Sequence, residues 1–172
     1  MTASFPVANP TSYSVCGAAT DRSSWNKKLA HFFDYWLSIK PAGGLPGRQH
    51  FDPLDIPHLM PRVWMLDVLR EPLRYRYRLA GTKEVGTLER EVTGRMFDEV
   101  HPHLRHDPEA IGRFNEVVQS GVATYRKGAV LILHHKDHWI VENCIVPLAR
   151  DGKTVDILVA CSILYDRHGQ EN

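Results

Sequence analysis

No run of apolar residues in this 172-residue chain approaches the roughly 18–20 needed to cross a bilayer. The first twenty residues lack both a basic start and a continuous apolar stretch, so they do not read as a secretory signal. Charge of one sign is missing too. Lys and Arg number 21 against 20 Asp and Glu, for a formal net charge of +1, which leaves no basic excess for general nucleic-acid binding. Cysteine is scarce: Cys16, Cys144 and Cys161 are odd in number and widely spaced. That usage excludes a disulfide framework and points to a reduced, cytoplasmic setting. There is no G-x-S-x-G elbow, no G-x-x-x-x-G-K-[ST] phosphate loop and no G-x-G-x-x-G after a strand. The expectation is a protein that is not an enzyme.

What is present suits one domain with a single core: 43% of residues are hydrophobic and 24% charged, ordinary values for a globular chain of this length. Residues 1–23, rich in Ser, Thr, Ala and Pro, read as a flexible tail. The domain is expected over 24–167, followed by a short C-terminal tail at 168–172. It opens on a helix from about Ser24 to Lys40, capped by Ser23 or Ser24 and stopped by Pro41-Ala42-Gly43-Gly44. Trp25, Leu29, Phe32, Phe33, Trp36 and Ile39 recur at spacings of three and four and form one apolar stripe. Such a stripe has to leave water. It either covers a sheet face of its own domain or packs against a second copy, and the two are compatible. Trp25, Leu29, Phe32, Phe33 and Trp36 are therefore the candidate interface of a homodimer.

Asp52-Pro53 has the form of an N-cap followed by proline at the first helical position, opening a short turn. Val63–Leu69 and Arg74–Leu79 follow as strands of a hairpin. In the second, Tyr75, Tyr77 and Leu79 alternate with Arg74, Arg76 and Arg78. Residues 82–106 are irregular. Asp107-Pro108 repeats the cap-plus-proline signal and starts a helix through Ser120, with Gly121 in place for a left-handed C-terminal cap. Three strand-like runs end the chain, at 123–133, 138–149 and 154–165, the last two joined by Arg150-Asp151-Gly152-Lys153. Strands in runs with hairpin-length connections predict an α+β fold with one antiparallel sheet, rather than a parallel βαβ array.

In that order of elements the chain resembles the PAS fold, a five-stranded antiparallel sheet with short helices between its second and third strands. The segments DPLDIPHLMPRVWMLDV (52–68), RYRYRLAGT (74–82), Thr93-Gly94-Arg95 and PLARDGKTVDILVA (147–160) are similar to one branch of stand-alone bacterial PAS-like proteins, over roughly Trp25 to Tyr165. The resemblance implies a sensory or protein-interaction module with a pocket between the sheet and the helical block. Tyr75, Tyr77 and Leu79 would form its walls, with Phe97 and Phe114 from the helices. Leu131, Cys144, Val146, Val159 and Cys161 are further candidates, depending on which face of the last three strands points inward. A packed core with no ligand is the competing expectation, since fold does not determine function. No cofactor signature accompanies the resemblance. Asn143-Cys144 superficially matches the reactive cysteine of photoactive flavin domains, but Ile145-Val146-Pro147 follows it within a strand, so Cys144 and Cys161 read as small buried hydrophobes.

The remaining polar clusters read as surface features. His134, His135 and His138, with Asp137, have the spacing of a polar turn and of no standard metal site. His101, His103 and His106 sit in polar loop sequence and are expected at the surface, His106 being the one to mutate should the protein bind haem. Arg74, Arg76 and Arg78 line one face of a strand about 7 Å apart. They read as a solvated or helix-covered face, or as a site for a phosphate-bearing or acidic partner; their mutual repulsion makes acidic partners within the protein the first to seek. The functional expectation is a ligand- or partner-binding module that acts in trans on an effector protein through its N-terminal helix, with no nucleic acid and no membrane. Two alternatives stand beside it: a small ligand-modifying enzyme using Tyr77 or Cys144 in the same pocket, and a ligand-free adaptor.

Overall fold

The computed structural model describes residues 13–132 and 139–172. In chain order these form β1 (Tyr13–Cys16), α1 (Lys27–Ser38), β2 (Val63–Leu69), β3 (Arg74–Ala80), α2 (Thr82–Leu88), α3 (Phe97–Val100), α4 (Arg113–Ser120), β4 (Ala123–Ala129), β5 (Ile140–Leu148) and β6 (Ile157–Tyr165). The strands make one antiparallel sheet in the order β1-β4-β5-β6-β2-β3. Five of them occupy the expected segments. The sixth is a correction to the tail expected at 1–23, because Tyr13–Cys16 pairs with Ala123–Arg126 and Cys16 is buried. Four residues with no apolar alternation become a strand because an unpaired edge of β4 is there to receive their backbone groups.

The sheet carries a layer on each face. Helix α1 covers one. Asn26 caps it, in place of the expected Ser23 or Ser24, by accepting from the Lys28 amide. Leu29, Phe32, Phe33 and Trp36 are buried against Met65, Cys144, Val146, Val159, Cys161 and Ile163, and Trp36 Nε1 donates to the Pro147 carbonyl at 3.0 Å. Trp25 stacks on Tyr125 with ring centres 4.2 Å apart. The stripe thus covers its own sheet, and Trp25, Leu29, Phe32, Phe33 and Trp36 present no apolar surface to a second copy.

On this same face the acid Glu142 is buried, accepting from the Asn26 amide at 2.6 Å, Tyr125 Oη at 3.0 Å and Tyr165 Oη at 2.8 Å. Lys28 and Arg62 both pair with Glu171, so the segment expected as a C-terminal tail folds back on the start of α1.

The helical block of α2, α3 and α4 covers the other face, over Trp64, Leu66, Tyr75, Tyr77, Ile145, Leu158 and Ala160. Asp107 starts the last helix of the block, its Oδ1 accepting from the Glu109 and Ala110 amides. A π-turn over Pro108–Gly112 leads into α4, and Gly121 ends it at φ 63°. At the Thr93-Gly94-Arg95 turn, Gly94 takes φ 84°, so that its amide and the Arg95 carbonyl bond the Tyr77 backbone.

The arginine row finds its acids inside the chain. Arg74 forks onto Asp98 at 3.0 and 2.7 Å and reaches Glu99 at 3.1 Å, while Arg76 and Arg78 share Asp67, each at 3.0 Å.

Candidate functional site

Alternation in a strand sends successive side chains to opposite faces, so register decides which residues meet beneath the helical block. Ile145 lies on the block side of β5, together with Val141 and Asn143, while Cys144 and Val146 lie on the α1 side. In β6, Leu158 and Ala160 face the block and Val159 and Cys161 face α1. In β3 the parity breaks: Met65 pairs with Leu79 but Leu66 pairs with Tyr77, leaving Arg78 as an extra residue. This bulge keeps Tyr75 and Tyr77 under the block and turns Leu79 to the α1 side.

A cavity of about 80 Å³ opens between block and sheet, room for several waters at about 10–15 Å³ each. Of the residues expected to line a pocket, Tyr77, Phe97, Phe114 and Leu131 do so. Tyr75 packs edge-on behind Phe114 and donates to Asn115 Oδ1 at 2.6 Å. Leu79, Cys144, Val146, Val159 and Cys161 are corrections, since all five lie on the α1 side. Burial pushes the Cys161 thiol up to about 12 and the Cys144 thiol well above its usual value, so both are inert small hydrophobes.

The polar part of the cavity is where sequence reasoning fell short. Glu84 of α2 lines it at 5% exposure. Among the described residues the carboxyl accepts no hydrogen bond and makes no ion pair, and burial lifts it to about 8 although Arg62 pulls the other way. Arg113, the first residue of α4, is 2% exposed. It donates from Nε to Thr124 Oγ1 at 2.8 Å, from Nη1 to Asn143 Oδ1 at 2.6 Å, and from Nη2 to the carbonyls of Thr124 at 3.1 Å and Asn143 at 3.4 Å. Arg126 lines the same end, with Glu109 at 3.8 Å. Trp64 Nε1 donates to Ser162 Oγ at 2.9 Å on the floor.

His101 corrects the surface reading of its cluster. It is 2% exposed, shares a 2.9 Å hydrogen bond with Tyr77 Oη and packs on Phe97 with centres 4.8 Å apart. Burial lowers it to about 4, so the ring is neutral at physiological pH. His103 and His106 are exposed, as expected. His134, His135, Asp137 and His138 lie outside the described residues. Among the described residues, no three His, Cys, Asp or Glu side chains converge as a metal would require, and no helix is long and apolar enough to cross a membrane.

The signals that pointed here were partial. Asn143 stands between Val141 and Ile145 on one face of a β-pattern, a polar break legible once β5 is drawn. Nothing in the sequence marks Glu84, which sits in a segment that reads as charged and irregular.

Comparison with known proteins places the chain among relatives. The family described as "PAS domain" matches residues 25–161. Among curated proteins none matches. A solved structure titled "Structure of an RNA-binding Light-Oxygen-Voltage Receptor" is similar at 12% identity and a TM-score of 0.44, over 72% of this chain. The chain spans 36% of that protein's length.

Proposed function

The chain belongs to the PAS domain family, and from that premise we propose that it is a sensory module whose cavity beneath the helical block takes a small ligand. The observation that carries this reading is the asymmetry of the two sheet faces. One is filled by α1, while the other keeps about 80 Å³ of space with ionisable groups on an apolar wall. The output runs in trans, through α1, to an effector protein. Strand β2 supports the coupling: Trp64 faces the cavity and its neighbours Val63 and Met65 pack on the α1 side. A shift of that strand alters both layers, so ligand binding selects one packing of α1.

The module binds rather than converts. Of the two titratable candidates for a ligand-modifying enzyme, Cys144 is on the far side of the sheet, and burial and the nearby Glu84 hold the Tyr77 hydroxyl protonated. A homodimer would use a surface other than the aromatic stripe, and light scattering would detect one. A cytoplasmic setting suits three buried free thiols.

Native mass spectrometry of freshly purified protein, beside the same sample denatured, tests the reading. Extra mass lost on denaturation is expected, together with altered hydrogen exchange in Lys27–Ser38 when the ligand is restored. A bare polypeptide whose cavity resonances ignore a panel of small organic probes would favour the ligand-free adaptor instead.

A further inference from the structure

On the cavity wall the guanidinium of Arg113 lies over the Tyr13 ring at 5.7 Å but has, among the described residues, no carboxylate to pair with. Every hydrogen bond from Arg113 goes to a neutral oxygen of Thr124 or Asn143. Among the described residues no carboxylate lies within ion-pairing distance of its guanidinium. Burial lowers Arg113 to about 10, which still leaves it protonated at neutral pH. A guanidinium carries five N–H donors, and the four bonds above leave one hydrogen on Nη1. A buried charge without a counter-ion is a costly thing for a fold to retain.

Three further features surround it. Asn143 turns its Oδ1 to Arg113, so the two N–H groups of its Nδ2 have no partner among the described residues. Arg126, Asn143 and Ser162 are register partners and form a polar row across the cavity floor, about 4.8 Å per step. The ionisable acids and bases of the wall are Glu84, Glu109, Arg113 and Arg126. With Glu84 protonated below about pH 8 and Glu109 beside Arg126, Arg113 is the cation of the described wall that no described carboxylate faces.

We infer that the cavity takes a small monocarboxylate with an apolar body, its carboxylate accepting from the Asn143 amide and the Arg113 guanidinium. The body lies against Phe97, Leu104, Phe114 and Leu131. The carboxylate supplies the counter-ion that the described residues do not, and a charge-assisted pair of this kind is stronger than a neutral hydrogen bond. This rests on the reading of the cavity as a ligand site.

Benzoate, benzamide and benzylamine share one ring and differ in charge. Each is titrated at pH 7 into the full-length ¹⁵N-labelled protein and into Asn143→Asp. That substitution places a carboxylate where Asn143 Oδ1 meets Arg113, keeps the side-chain size and spares the core. Wild type is expected to bind benzoate at least ten-fold more tightly than benzamide or benzylamine. Asn143→Asp is expected to lose that preference while keeping its amide spectrum. Equal binding of the three probes, tighter benzylamine, or a benzoate preference that survives Asn143→Asp overturns the carboxylate site and leaves the ligand cavity standing. If none of the three moves the cavity resonances, the ligand-site reading fails and the carboxylate goes with it.

Discussion

Two buried acids, one on each face of the same sheet, show how differently the faces are built. Glu142, on the α1 face, accepts three hydrogen bonds from the Asn26 amide and two tyrosine hydroxyls. Glu84, on the block face, accepts none among the described residues. Around Glu142 the aromatic stripe of α1 fills the space. Glu84 instead lines a cavity, and Arg113, elsewhere on its wall, has no carboxylate partner among the described residues. A satisfied buried polar network rigidifies its surroundings, whereas an unsatisfied buried group is costly and calls for an explanation. The α1 face holds its polar groups in fixed pairings; the block face is the one proposed above to receive a ligand.

The contrast can be broken most forcefully at Phe32, fully buried beneath α1. Phe32→Ala is expected to cost about 3–5 kcal/mol by urea denaturation, because a close-packed face cannot collapse around the hole. A cost below about 1 kcal/mol would mean that α1 is loosely docked. Next in size is Glu142→Gln, which puts N–H donors against the Asn26 amide and the hydroxyls of Tyr125 and Tyr165. A loss of about 2–3 kcal/mol is expected, with faster hydrogen exchange at the start of α1.

Glu84→Gln should act in the opposite direction. Folded Glu84 titrates at about 8 against 4.5 in the unfolded chain, so between those values the native state holds a proton that the unfolded state has lost. The contribution to stability is fully present below about pH 4.5 and is lost as pH rises to about 8. The variant should therefore match wild type at pH 5 and exceed it by about 2 kcal/mol at pH 8.5, discounted for water reaching the carboxyl. Equal stability at both values would mean that Glu84 has a partner. The smallest effect is Ala110→Val. Ala110 lines the cavity, so an added methyl pair should shift stability by less than about 0.5 kcal/mol. On the α1 face, added methylenes would overpack and cost more, about 1–3 kcal/mol.

Much of the fold was legible in local pattern. The stripe of α1, the β2–β3 hairpin and the cap-plus-proline turns at Asp52 and Asp107 each follow from residues a few positions apart, and so do the three closing strands. The acidic partners of Arg74, Arg76 and Arg78 were legible as a need, since three like charges on one strand face require them. The site was legible only in part. Tyr77, Phe97, Phe114 and Leu131 were placed correctly, whereas Leu79 was carried to the wrong face by one inserted residue, Arg78, that alternation cannot reveal. Cys144 and Asn143 alternate as the sequence requires, but no local signal says which of them faces the helices.

By itself, then, the sequence determined α1, the helix after Asp107, five strands and their order, with faces shared by alternation wherever no bulge intervenes, because periodicity and capping act over a few residues. Only the tertiary structure decided which face of each strand meets which layer and that Tyr13–Cys16 completes the sheet edge. It also decided that Glu84 and Arg113 come to one cavity with no ion pair among the described residues, while Glu142 finds three donors. Those outcomes depend on register, a bulge and burial, which are set by contacts between residues as far apart as Asn26 and Glu142, and no local window contains them.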